Sequence, residues 1–298
     1  MIKEDLLSKF KILDGGMGQE LLARGVKPLS NLWSATALME TQYHQIVKDC
    51  HKDFINAGAE IILTNTFGCR RRRLEENQIE DRFEELNIAA LKLARESVNE
   101  SGKKVLVAGS LPPQNFTYLP ELGDIEKMKK NFYDQAKILN EDIDLFYLDV
   151  LSSFDEIEIG IQSIKKFNKP FVVGIHFKKN GLLPSGENLK DVINKIKPHN
   201  PVAITGSCVA YEDAIEAKDD FIKSGLPFGF KVNAFKEIPI GWKPDSSNPN
   251  LALGKNEDLT IFKFQEISKE FIDMGAKLIG GCCEITPAHI KKILDLRN

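Results

Sequence analysis

The sequence is poor in several features that mark large classes of protein. No apolar run approaches the roughly 20 residues that a helix needs to cross a bilayer, so no membrane-spanning helix is expected. Residues 1–16 have neither an apolar core nor a small-residue cleavage site, so export is not expected. Net charge is only -3, and no basic stripe alternates with aromatic residues, which argues against a nucleic-acid partner. Cysteine is scarce, and its odd count of five suits a reducing compartment where thiols serve metals or chemistry rather than disulfides. These absences together point to the cytoplasm. What is present is ordinary for a globular chain: 42% hydrophobic residues, enough for a large core, and 28% charged residues.

Short β-branched runs alternate with amphipathic stretches from end to end. Strands are expected at Lys11–Asp14, Glu60–Thr64, Lys104–Gly109, Leu145–Asp149, Pro170–His176, Val202–Thr205, Phe228–Lys231 and Lys277–Gly280. The intervening stretches read as helices, among them Thr41–Ala57, Glu80–Glu100, Gly160–Phe167, Leu189–Ile196, Tyr211–Lys223, Thr260–Met274 and Pro287–Leu296. Phe83, Leu86, Ala90 and Ala94 form one apolar stripe. Eight strand–helix repeats predict an α/β fold, a single (β/α)8 TIM barrel over residues 1–298, with an open doubly wound sheet as the alternative. Gly15–Glu40, Leu111–Asp124 and Asn233–Glu257 are long connections that each follow a strand, which in a barrel puts them on the C-terminal rim. The last of these, Asn233–Glu257, which contains Gly241–Pro249, reads either as a lid or as a loose loop.

Cys208 lies just beyond the sixth expected strand, and Cys282 and Cys283 just beyond the eighth. Strands two apart in a barrel are separated by about 10 Å, twice the spacing of roughly 4.8 Å. A zinc ion with Zn–S bonds of about 2.3 Å, approached by cysteines from both sides, would bridge that gap. Three thiolates would leave one tetrahedral position open, the catalytic pattern rather than the structural one. The competing reading is of buried or incidental thiols. Cys50, inside a helix beside His51, reads as packing, whereas Cys69 falls on the same rim and is the substitute ligand.

Several motifs resemble one known family. Asp14-Gly-Gly-Met-Gly-Gln-Glu-Leu21, Leu32-Trp-Ser-Ala35, Gly58-Ala-Glu-Ile-Ile-Leu-Thr-Asn-Thr-Phe-Gly68, Asn233-Ala234 and Gly280-Gly-Cys-Cys-Glu-Ile-Thr-Pro287 together are similar to the homocysteine S-methyltransferases. The similarity runs from about Phe10 to Leu296. It implies a barrel, zinc held by Cys208, Cys282 and Cys283, and transfer of a methyl group to homocysteine to give methionine. It also implies that Asp14 and an acid after the fourth strand grip the substrate ammonium, while the Gly15, Gly16 and Met17 amides take its carboxylate. That second acid is usually glutamate; here it is Asp149, one methylene shorter. Thr64, Asn65, Thr66 and Asn233 match family positions that support or line the site.

For the methyl donor, Trp33 and Phe67 survive of the aromatic residues that betaine enzymes use, while Gly68 and Val150 stand where those enzymes carry tyrosines. A small sulfonium such as S-methylmethionine is therefore expected ahead of betaine. Trp33 has an equal claim as a core residue. No cobalamin or folate module follows the last helix, and the C-terminal extension of betaine enzymes is missing, so a monomer or weak homo-oligomer is expected. His176 reads as a structural histidine or a donor-pocket residue, and Arg70–Arg73 as a solvated charge run or an anion site. Three alternatives stay open: another thiol or selenol acceptor, a corrinoid protein partner, and a zinc-binding barrel without catalysis.

Overall fold

The computed structural model describes Glu4, residues 8–243 and residues 249–297; the segment 244–248, part of the expected lid, lies outside the described residues. Eight strands form one parallel sheet: β1 (Lys11–Ile12), β2 (Ile61–Leu63), β3 (Leu106–Leu111), β4 (Leu145–Leu151), β5 (Phe171–Ile175), β6 (Ala203–Val209), β7 (Phe228–Val232) and β8 (Leu278–Gly281). From β2 to β8 each pairs with its sequence neighbour, and β1 pairs with β8 through Lys11–Leu278 and Ile12–Ile279. A parallel bridge between Leu13 and Ile61, flanked by hydrogen bonds from the Glu60 amide to the Ile12 carbonyl (2.8 Å) and from the Asp14 amide to the Ile61 carbonyl (3.2 Å), closes the ring. The result is the (β/α)8 barrel rather than the open sheet.

Strands buried on both faces explain the continuous apolar runs. Leu13, Ile61, Ala108, Leu145, Tyr147, Val172, Ala203 and Leu278 fill one compact core, and a larger core containing Phe54, Leu86, Phe132, Ile157 and Phe264 joins strands to helices. The expected stripe Phe83, Leu86, Ala90 and Ala94 is buried on the helix Phe83–Ser101, which ends at Gly102 with φ 64°.

Three boundaries differ from expectation. The helix after β4 begins at Phe154, because Ser153 caps it by accepting from the Glu156 amide at 3.2 Å. The stretch Tyr211–Lys223 is two helices, Tyr211–Glu216 and Lys218–Ser224. The connection Gly15–Glu40 is itself ordered into Met17–Ala23, Ser30–Ala35 and Thr36–Met39.

The most consequential difference is at the ends of β4 and β6. Both strands run further than expected, and both are interrupted near the rim: register shifts between Leu148 and Leu151 and between Ser207 and Val209. The bulged residues Val150 (φ 65°) and Cys208 (φ 55°) occupy the left-handed region that side chains rarely adopt. Cys208 is thus inside its strand, and the bulge aims its sulfur into the mouth of the barrel. Strain of this kind persists where the surrounding structure dictates it.

Candidate active site and metal centre

Cys208, Cys282 and Cys283 meet at the rim. Their sulfurs all lie within 4.8 Å of one another, with Sγ–Sγ distances of 4.0 Å for Cys208–Cys283 and 3.9 Å for Cys282–Cys283. A tetrahedral ion with metal–sulfur bonds of about 2.3 Å has sulfurs about 3.8 Å apart, so this group can hold a metal without rearrangement. The protonation pattern agrees. Burial raises the Cys208 thiol, but hydrogen bonds from Cys282, Cys283 and Tyr118 outweigh it and leave Cys208 well below the ordinary range. Cys282 and Cys283 are pushed up in turn by sharing their protons with Cys208, Cys282 to about 12. Three cysteine sulfurs converging at this distance are a donor set that a cation completes. Cys50 and Cys69 are buried elsewhere with raised thiols, and Cys69 points its sulfur at the Asn65 carbonyl, 3.8 Å away.

Two side chains position Cys208. The Tyr118 hydroxyl lies 3.1 Å from its sulfur. Asn233 donates from Nδ2 to the Cys208 carbonyl at 2.7 Å and accepts from the Phe235 amide at 3.0 Å. Both ends of the Asn233 amide are therefore engaged by the chain, which makes it a support of the bulge. His176 is buried, held neutral by burial with a pKa of about 4, and packs its ring 4.7 Å from that of Tyr118. Thr66 also turns away from the cavity, donating to the Ser110 carbonyl at 2.6 Å; Thr64, Asn65 and Phe67 line the cavity beside it.

One cavity joins the sulfurs to Asp14, Gly15, Gly16, Met17, Trp33 and Asp149. Asp14 accepts from the Leu63 amide at 2.8 Å, and burial raises its carboxyl to about 7. The Gly16 amide donates to the Ile285 carbonyl at 2.8 Å, and the Met17 amide to the Gly15 carbonyl at 3.1 Å. Gly18 admits no side chain: an added Cβ would lie 2.2 Å from the Trp33 indole, which rests on it. Trp33 has φ 49°, so its backbone is strained into place against that glycine.

A residue that sequence reasoning missed closes this half of the cavity. Lys231 of β7, 4% exposed, donates to Asp149 at 2.9 Å in a buried ion pair. Burial works against its charge, but Asp149, Cys282, Tyr147 and Asp14 outweigh it and hold its pKa well above the ordinary lysine range. Asp149 is thus paired through Oδ2, while its buried Oδ1 has no partner. A lysine closing an expected buried strand was the available signal, since lysine is almost never fully buried unless paired.

Beyond Cys283 the cavity continues between Trp33, Phe67, Tyr118, Phe235 and Trp242 to Arg70 and Arg73. Tyr118 and Trp242 stand 5.9 Å apart between ring centroids. The lining here is aromatic even though Gly68 and Val150 carry no rings. Gly68 has no room for a side chain, with Ala35 Cβ 2.9 Å and the Leu32 carbonyl oxygen 3.0 Å from an added Cβ, yet aromatic residues from two other loops take its place.

Comparison with known proteins now settles the family. Residues 11–296 match the homocysteine S-methyltransferase family. The chain belongs to it. Homocysteine S-methyltransferase 2 of Saccharomyces cerevisiae is 26% identical over 96% of this chain and 93% of its own length. The homocysteine S-methyltransferase of Escherichia coli is 25% identical over 97% and 94%. The metallated crystal structure of the Escherichia coli homocysteine methyltransferase MmuM superposes with a TM-score of 0.79 at 22% identity, over 97% of this chain and 96% of that one, which supports the barrel fold of this family member. No helix among the described residues is long and apolar enough to cross a membrane.

Proposed function

We propose that this family member transfers a methyl group from a small sulfonium donor, such as S-methylmethionine, to the thiol of homocysteine, giving methionine, with zinc held by Cys208, Cys282 and Cys283. The observation that carries this reading is the convergence of three sulfurs on one wall of a cavity whose other walls carry Asp14 and an aromatic channel. Held by Cys208, Cys282 and Cys283, zinc would supply a Lewis acid that favours the thiolate form of the substrate sulfur.

The chain's own residues do the rest. Asp14, ionised, grips the substrate ammonium, and the turn Gly15–Met17 faces its carboxylate end. Lys231 holds Asp149 Oδ2, and Asp149 Oδ1, buried without a partner, is left to accept from the substrate ammonium. Tyr118 hydrogen-bonds the Cys208 sulfur, and Asn233 fixes the Cys208 backbone. The aromatic faces receive the positive onium centre and exclude water around it. In the transfer, the thiol loses its proton to solvent and its sulfur lone pair forms the new S–CH3 bond. The C–S bond of the donor breaks with its electron pair going to the departing sulfide. Aligning the two sulfurs and the methyl carbon supplies much of the rate.

The test is methionine formation by zinc-loaded protein supplied with homocysteine and, in parallel, S-methylmethionine, S-adenosylmethionine, dimethylsulfoniopropionate and betaine. Turnover is expected with at least one sulfonium; silence with all four, zinc being bound, removes the reading. A second reading, another small thiol or selenol as acceptor, is favoured by one observation: Lys231 already neutralises the shortened acid that elsewhere in the family faces the ammonium. Equal or faster turnover of a thiol without an amino group would install it.

A further inference from the structure

The barrel is held unevenly around its ring. Neighbouring strands elsewhere share two to five paired residues, but β1, two residues long, meets β2 at the single bridge Leu13–Ile61. The Lys11 and Leu13 amides turn to β8, donating to the Lys277 and Ile279 carbonyls at 2.8 Å. Ile12 and Asp14 turn to β2, and there two side-chain carboxylates complete the ladder. At the N-terminal end of the seam the Ile12 amide donates to Glu60 Oε2 at 3.2 Å. At the rim end the Leu63 amide donates to Asp14 Oδ2 at 2.8 Å, and Asp14 is the acid that lines the cavity.

Glu60 is itself tied down on both oxygens. Arg297 Nη2 donates to Glu60 Oε2 and, at 2.7 Å, to the Phe10 carbonyl, with its guanidinium 4.8 Å from the centre of the Phe10 ring. Lys11 Nζ donates to Glu60 Oε1 at 3.4 Å. Burial raises the Glu60 carboxyl, but Arg297, the Ile12 amide and Lys11 outweigh it and hold it below its usual range. Charge-assisted hydrogen bonds of this kind are the stronger and more directional ones. A seam with one bridge has little else to fix its register. We propose that Glu60, held by Arg297, is a positioning residue for the acceptor: it pins β1 against β2 and so sets where the Asp14 carboxylate stands in the cavity. The inference rests on the reading in which Asp14 grips the substrate ammonium. A displacement of about 1 Å at such a contact can cost on the order of 100-fold.

The molecule carries its own control. At the β3–β4 junction the Val107 amide donates to Asp144 Oδ2 at 2.7 Å, and Arg95 donates to the same oxygen at 3.1 Å, but those two strands share four paired residues. Arg297→Met, Arg297→Lys and Arg95→Met are compared with wild-type protein by amide hydrogen exchange without substrate and by the kinetics of methionine formation. In Arg297→Met, exchange of the Ile12, Asp14 and Leu63 amides should quicken roughly tenfold or more. The KM for homocysteine should rise roughly tenfold while kcat at saturating homocysteine changes less than about twofold. Arg297→Lys should restore most of both, and Arg95→Met should alter neither. Should Arg297→Met fail to fold, Glu60→Gln, which keeps an acceptor for the Ile12 amide and loses the charge, carries the same comparison with a smaller expected rise. An equal rise in KM for Arg95→Met, or faster seam exchange with an unchanged KM, would overturn the assignment. Wild-type protein that forms no methionine removes the acceptor reading and not the pin, because exchange is measured without substrate. Unchanged Leu63 exchange in Arg297→Met overturns the pin whether or not methionine forms.

Discussion

The two halves of the central cavity meet at the same three sulfurs, yet they manage charge in opposite ways. The half beside β1, β4 and β7 is nearly self-neutralised: Lys231 sits on Asp149, and Asp14, raised to about 7, needs little further compensation. The half beyond Cys283 holds two buried guanidinium groups, and Arg70 has no carboxylate partner among the described residues. A closed charge set binds what fits its shape and one residual charge, whereas an open set demands a counter-ion from outside.

The largest expected effect falls on the boundary between the halves. Cys208→Ala should lower turnover below detection and reduce bound zinc from one equivalent to well under half, while leaving binding of dimethylsulfoniopropionate in place. Metal analysis with calorimetry on the same preparation checks both, and retained stoichiometric zinc would break the ligand set. Next comes the contrast in stability. Lys231→Met strands the Asp149 carboxylate in the interior and should destabilise the fold by about 3–5 kcal/mol. Arg70→Met removes a cation that has no such partner and should cost less than about 1.5 kcal/mol, the scale of its hydrogen bonds to neutral groups. Chemical denaturation of the two variants side by side decides it, and equal losses would mean that the halves do not differ.

The smallest effect is on pH. The Asp14 carboxyl is raised to about 7, so it is protonated below that pH and ionised above. An ammonium needs the ionised form. The KM for homocysteine should therefore rise up to tenfold per unit as pH falls below 7, and Asp14→Asn should flatten that dependence while raising KM throughout. A KM in wild-type protein that ignores pH between 5 and 7 would take Asp14 off the ammonium.

Much of the barrel was legible because its strands are short apolar runs between amphipathic helices, and each of the eight expected runs overlaps a real strand. The cysteines were legible for the same reason: strand ends alternate with helices, so residues at the C-terminal ends of β6 and β8 must share a rim. The helix start at Phe154 could have been read from Ser153 and Glu156, an N-terminal cap at the right spacing. The bulges at Val150 and Cys208 could not, because they arise where two neighbouring strands compete for register, a property of the pairing and not of either run.

By itself the sequence determined the period of the chain, the order of its elements, and the family motifs that place three thiols and Asp14 at strand ends. These are local matters of spacing and side-chain type. Only the tertiary structure decided which charges meet. Lys231 and Asp149 are 82 positions apart in the chain and 2.9 Å apart in space, and Arg70 and Arg73 leave the solvated run to line the channel. Charge pairing depends on distance and on the removal of water, and a linear sequence specifies neither until the barrel closes.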